Sequence, residues 1–261
     1  MENDLVRCPI CGRYAVPSED HIPPKSCNNF SKVTFFNYTI DYLGEIIDKK
    51  TYRPKDKFSQ NGLKLRHCCE HCNNTMGLYY DTELKKLYDY MISKLNNVSS
   101  LFVGDITKIV LSVVGHFLAA SDYVDLRIDN DMRMAYSNPT MHLAEFANKY
   151  SLFFGFYPYK KHIAISRSFY TPIINNEMSI MYFFPMAFVL CTKRDMLWGM
   201  SDMLNLLIGK AVILDGNTKQ WQHTNGVPMH PFYPLNLDET GMVLFSHQTH
   251  ANNTVLATVH N

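Results

Sequence analysis

Two Cys-x-x-Cys pairs, Cys8–Cys11 and Cys69–Cys72, bracket nearly all of the first 72 residues and constrain their fold more than any other feature. Two thiolates spaced in this way face one ion together. Gly12, directly after the first pair, permits the tight backbone turn, so the two pairs make a complete tetrahedral four-thiolate site for Zn²⁺. Cys68 and His71 stand beside the second pair as substitutes, and spacing alone leaves open whether Cys68 or Cys69 is the third ligand. Six of the seven cysteines fall in this stretch. Where thiols are kept reduced, such clusters read as metal ligands before disulfides, and ordinary buried cysteines give no reason for two equal spacings. A four-thiolate zinc is closed, so its role is structural and any chemistry lies elsewhere.

The rest of the composition narrows the class. With 46% hydrophobic residues over 261 positions the chain can bury a substantial core. Charged residues are 19% and the net charge is +1, so a nucleic-acid partner would have to be held by a local patch. The opening MENDLVRCPICG lacks a cationic start followed by an apolar core, so it does not read as a secretory leader, and a cytoplasmic location is expected. No membrane association is expected either. The run Ile180 to Cys191 is too short to span a bilayer and contains Pro185, which suits a buried strand or strand pair, while Val103 to Ala120 contains Asp105, Lys108 and His116 and suits a buried helix.

Periodicity divides the chain. Leu84, Leu87, Tyr88, Met91 and Leu95 recur at helical spacing, and the polar stretch Asn96 to Ser100 then breaks the pattern, placing a boundary near residue 98. A second helix is expected over Ile106 to Ala120. A third is expected over Asp195 to Ile208, where Met196, Leu197, Met200, Met203, Leu204 and Leu207 share a face. Beyond residue 150, short apolar runs such as SLFFGFY, HIAIS, KAVIL and TVLATV are separated by turn residues and read as strands. The expected class is α+β, with residues 1–98 a small zinc-stapled module and 99–261 a larger mixed helix and antiparallel-sheet domain.

Between the cysteine pairs lies Asp20-His21-Ile22-Pro23-Pro24-Lys25, and Asn73 follows the last cysteine directly. Adjacent strand residues face apart, so Asp20-His21 alone would be an ordinary surface pair. The ordered set C-x-x-C, D-H-I-P-P-K and C-x-x-C-N resembles the zinc-containing HNH (ββα-metal) endonucleases, among them the phage Holliday-junction resolving enzymes, over about the first 80 residues. The resemblance implies that His21 is the general base and that Asp20 and Asn73 are ligands of a catalytic Mg²⁺ or Mn²⁺. It sets the middle asparagine of the family pattern at Asn61. It also implies a substrate of nucleic acid, DNA ahead of RNA, in a setting such as anti-phage defence or mobile-element biology. The sequence departs from the pattern in a longer, more aromatic span between Lys25 and Gln60, and in Asn73 where many members have His.

The chemistry agrees on its own terms. Phosphodiester hydrolysis needs a base for water and a cation at the leaving oxygen. An imidazole titrating near neutrality supplies the first, and a carboxylate with an amide oxygen holds the second. Lys25, Lys49, Lys50, Arg53, Lys55, Lys57, Lys64 and Arg66 could form a phosphate-binding surface, although Asp41, Glu45, Asp48 and Asp56 among them keep the balance modest. In the second half, His223, His230, His247 and His250 have no ligand spacing and Cys191 reads as a core residue. That half is expected to recognise substrate, a protein partner or a second copy of the chain. A non-catalytic zinc-stapled module that binds nucleic acid or protein is the competing class.

Overall fold

The computed structural model describes residues 5–38, 57–94, 102–120, 122–157, 160–171, 176–193, 200–207, 211–212 and 254–260. Its first elements are short. β1 (Val6–Arg7) pairs with β2 (Tyr14–Ala15) across the first cysteine turn, and β3 (Asp20–His21) pairs antiparallel with β6 (Lys64–Leu65). α1 (Glu70–Thr75) begins after the second cysteine segment, and a π-helical turn over Met76–Tyr80 leads into α2 (Asp81–Lys94). α2 buries Leu84, Leu87, Tyr88 and Met91 as their spacing requires, while Leu95 lies outside the described residues.

α3 (Ile106–Ala119) is the central helix. Asp105 caps it by accepting from the Lys108 N–H at 3.2 Å, and its apolar residues are buried on every side, the pattern of a helix with no solvent face. α4 (Arg127–Ser137) and α5 (Pro139–Lys149) follow, and periodicity did not single them out. Charges on the buried side of α4 hide its apolar stripe: Asp129 and Arg133 are buried beside Ile128, Met132 and Ala135. For α5 the signal was Pro139 at the first helical position.

An eight-stranded antiparallel sheet forms the other layer, in the order β12-β8-β11-β10-β9-β14-β4-β5. Its strands are β4 (Lys32–Tyr38), β5 (Lys57–Ser59), β8 (Tyr150–Phe156), β9 (His162–Thr171), β10 (Asn176–Phe183), β11 (Met186–Thr192), β12 (Ser201–Asp202) and β14 (Thr254–His260). A separate pair joins β7 (Phe102–Val103) to β13 (Ala211–Val212). The apolar run Ile180 to Cys191 is the hairpin β10–β11, with Cys191 fully buried in it.

Two features differ from expectation or qualify it. Residues 200–207 form β12 and turns instead of a helix, and 194–199 and 208 lie outside the described residues. Asp202 accounts for the difference: its Oδ1 accepts from the Leu152 N–H at 3.2 Å and from the Leu204 N–H at 3.0 Å, locking the segment to β8. The sheet also crosses residue 98. β4 and β5 come from the first part of the chain and join the rest through β14, with Thr34 opposite Thr258. His223, His230, His247 and His250 lie outside the described residues.

Candidate metal cluster and catalytic hairpin

The cysteine turn folds as its residues require. Gly12 at φ 73° donates to the Cys8 carbonyl at 2.9 Å, and the Cys8 N–H donates to the Arg13 carbonyl at 2.8 Å. This brings Cys8 and Cys11 to one side. The sulfurs of Cys8, Cys11, Cys69 and Cys72 all lie within 4.8 Å of one another, and Cys11 Sγ is 3.9 Å from Cys69 Sγ. Tetrahedral zinc with bonds of ~2.3 Å sets its sulfurs ~3.8 Å apart, so the cluster could hold a metal ion such as Zn²⁺. It is the one such cluster among the described residues. Cys69, and not Cys68, completes it; Cys68 is buried outside the set, and burial pushes its thiol up. A hydrogen bond from Cys72 draws Cys8 down to about 4, and the same bond together with burial drives Cys72 well above the thiol range.

The cluster ties three elements together. The Cys69 N–H points at Cys8 Sγ at 3.4 Å, the Asn73 N–H returns to the Cys69 carbonyl at 3.0 Å, and Pro17 bridges to Cys69. α4 holds the first turn from behind. Arg133 donates to the Pro9 carbonyl at 3.3 Å and to the Val124 carbonyl at 2.7 Å, and Arg7 and Arg133 both stack on the Tyr123 ring.

His21 and Asp20 take opposite faces of β3, as strand geometry dictates: Asp20 is 5% exposed and His21 is half-buried. His21 Nε2 is 3.0 Å from the Asn61 carbonyl oxygen. A carbonyl only accepts, so Nε2 carries the proton and the neutral ring keeps its lone pair on Nδ1. Burial holds the His21 pKa below its ordinary value, against the opposing pull of the Asn61 carbonyl. Asn61 thus acts through its backbone, while its side chain is exposed. The Asn73 amide donates to Ser18 Oγ at 2.9 Å and to the Glu19 carbonyl at 2.8 Å, which sets it beside the residues entering β3.

Asp20 turns inward to α3. Its Oδ2 lies 3.6 Å from His116 Nδ1, beyond a hydrogen bond, and neither atom has a hydrogen-bond partner. On its other side His116 Nε2 is 3.1 Å from Asp81 Oδ1, which also accepts from Ser112 Oγ at 2.6 Å. Burial favours a neutral His116, but the Asp81 carboxylate, with Asp20 behind it, raises its pKa to about 10.

Two of these residues were not anticipated. Asn29, 3% exposed, donates to the carbonyls of Pro23 at 2.6 Å and Leu63 at 3.0 Å and accepts from the Leu63 N–H at 2.7 Å. It clamps the loop after His21 to the segment before β6. Its signal was an asparagine in a turn rich in Pro, Cys and Asn, able to bond both sides of a backbone. His116 had read only as a polar residue in a buried helix; Ser112 one turn before it, on the same face, was the missed clue. Of the basic residues, Lys64 pairs with Glu19 at 3.1 Å and Arg66 donates to the Pro17 carbonyl at 3.0 Å, while Lys25 and Lys57 are exposed. Lys49, Lys50, Arg53 and Lys55 lie outside the described residues.

Compared with family models, curated proteins and solved structures, the chain matches none. No described helix is long and apolar enough to cross a membrane.

Proposed function

We propose that the chain is a metal-dependent endonuclease of the HNH type, hydrolysing phosphodiester bonds in DNA ahead of RNA. The observation that carries this reading is the pinned tautomer of His21, whose Nε2–H is held by the Asn61 carbonyl so that Nδ1 is left as the base. The surroundings support it. β3 and β6 followed by α1, closed by four cysteines, have the order of elements that the resemblance implies.

Asp20 bears on the cation. Its Oδ2 makes no hydrogen bond, and a hard cation taking it would stand in for the His116 charge 3.6 Å away. Asp20 and the amide oxygen of Asn73 would hold Mg²⁺ or Mn²⁺, and such an ion, when bound, stabilises charge at the leaving oxygen. His21 Nδ1 takes the proton of the attacking water. Asn29 keeps the loop bearing the Asn61 carbonyl against the hairpin, and Asn73 braces the entry to β3.

The cover that α3 lays over Asp20 favours a second reading, a zinc-stapled module that binds nucleic acid or protein without cutting. Supercoiled plasmid incubated with the intact chain and Mg²⁺ or Mn²⁺ separates the two. The nuclease produces nicked circles that chelation suppresses. Intact plasmid with both ions leaves the binding module.

A further inference from the structure

A cavity of about 240 Å³ opens behind the loop that follows β3. Pro23 and Asn28 of that loop, Tyr88 of α2, His162 and Phe183 of the sheet, and Phe184 of the β10–β11 turn line it. One wall is therefore aromatic. Lys160 also lines the cavity, with its Nζ 5.1 Å from the centre of the Phe184 ring, so a cation stands beside the aromatic wall. No carboxylate is among the lining residues described.

His162 is the second observation. It is 5% exposed and lines the cavity from β9. Burial lowers its pKa, with the Lys161 charge adding to the effect, and the neutral ring offers one donor and one acceptor.

We propose that this cavity binds a nucleoside monophosphate, free or as one unstacked residue of a strand. An aromatic wall and the donor–acceptor ring of His162 suit a base, which stacks on such a wall whatever its identity. Lys160, with no carboxylate among the described lining residues, suits one phosphate. Inorganic phosphate would leave the rings unused, and a nucleoside would leave Lys160 unused. The volume lies below the ~300 Å³ at which drug-sized pockets begin, which admits one base with its phosphate at the mouth and excludes a duplex. The cavity and the proposed base share one loop, so an unstacked nucleotide seated here would lie on the same substrate strand as a cut at His21. That link rests on the nuclease reading, whereas the binding does not.

Isothermal titration of the full chain with the four nucleoside monophosphates and with a short oligothymidylate tests the proposal, with nucleosides and inorganic phosphate as controls. At least one monophosphate should saturate one site, with nucleosides and phosphate weaker by roughly tenfold or more. Lys160→Gln, at an exposed position, should weaken the monophosphate by roughly tenfold with an unchanged circular dichroism spectrum. Competition by oligothymidylate identifies the strand as a source; a monophosphate that it does not displace identifies the free nucleotide. His21→Ala should bind as the unaltered chain does, so loss of cutting cannot be mistaken for loss of this site. The proposal is overturned if no monophosphate or oligothymidylate saturates a site, if nucleosides bind as well, or if Lys160→Gln leaves affinity unchanged.

Discussion

Single residues carry two kinds of role here, and His116 and Asn29 show the structural kind. His116 is buried between the carboxylates of Asp20 and Asp81, so His116→Ala leaves the buried Asp20 and the partly buried Asp81 without their counter-charge and should cost about 3–5 kcal/mol in a urea titration. The pH dependence follows from the raised pKa. An unfolded imidazole titrates near 6.5 and the folded one near 10, so this stabilisation is complete below pH 6.5 and is lost as pH climbs toward 10. The pH–stability curve of the unaltered chain should therefore fall over that window more steeply than that of His116→Ala. Asn29→Ala should cost several kcal/mol, since it strips partners from two carbonyls and one N–H at about 1–3 kcal/mol for each buried group. Neither role was legible in the sequence, because each depends on a partner far away in the chain. The sulfur set was legible, because equal local spacing encodes it.

Among the elements, the β3–β6 pair and α1 are short, and the cysteine cluster adds to the few core residues, Ile22, Leu63 and Leu65, that hold the hairpin. If the cluster holds zinc, Cys72→Ser should lower the zinc content found by metal analysis and melt the hairpin before the sheet. Gly62 sits at φ 74°, and a Cβ there would lie 2.2 Å from the Asn29 carbonyl oxygen. Gly62→Ala should thus disturb the clamp and the Asn61 carbonyl together, lowering both stability and any cleavage, whereas Gly77→Ala, with open space around it, should do neither. Helices α2 and α3 were readable from apolar spacing. α4 was not, because Arg133 and Asp129 are buried on its inner side, and the expected helix after residue 195 gave way over 200–207 to the backbone bonds that Asp202 makes with β8.

At the scale of the whole molecule, the sheet joins what local composition divides. β4 pairs with β14 from the far end of the chain, and α3 covers Asp20, so a fragment of residues 1–98 lacks both supports. It should unfold at lower urea than the same region in the full chain, read from the metal-bound tryptic core that survives. This long-range pairing could not be seen from the sequence, since strand runs show alternation and length but not the neighbour they choose. Whether His21 is the base of a nuclease is read most directly from plasmid nicking and DNA binding by the intact chain and by His21→Ala, side by side in Mn²⁺. His21→Ala should lose about 10²- to 10⁴-fold of the nicking rate while its metal content and its DNA affinity stay unchanged. Equal nicking by the two proteins, or no nicking by the intact chain, would contradict that role.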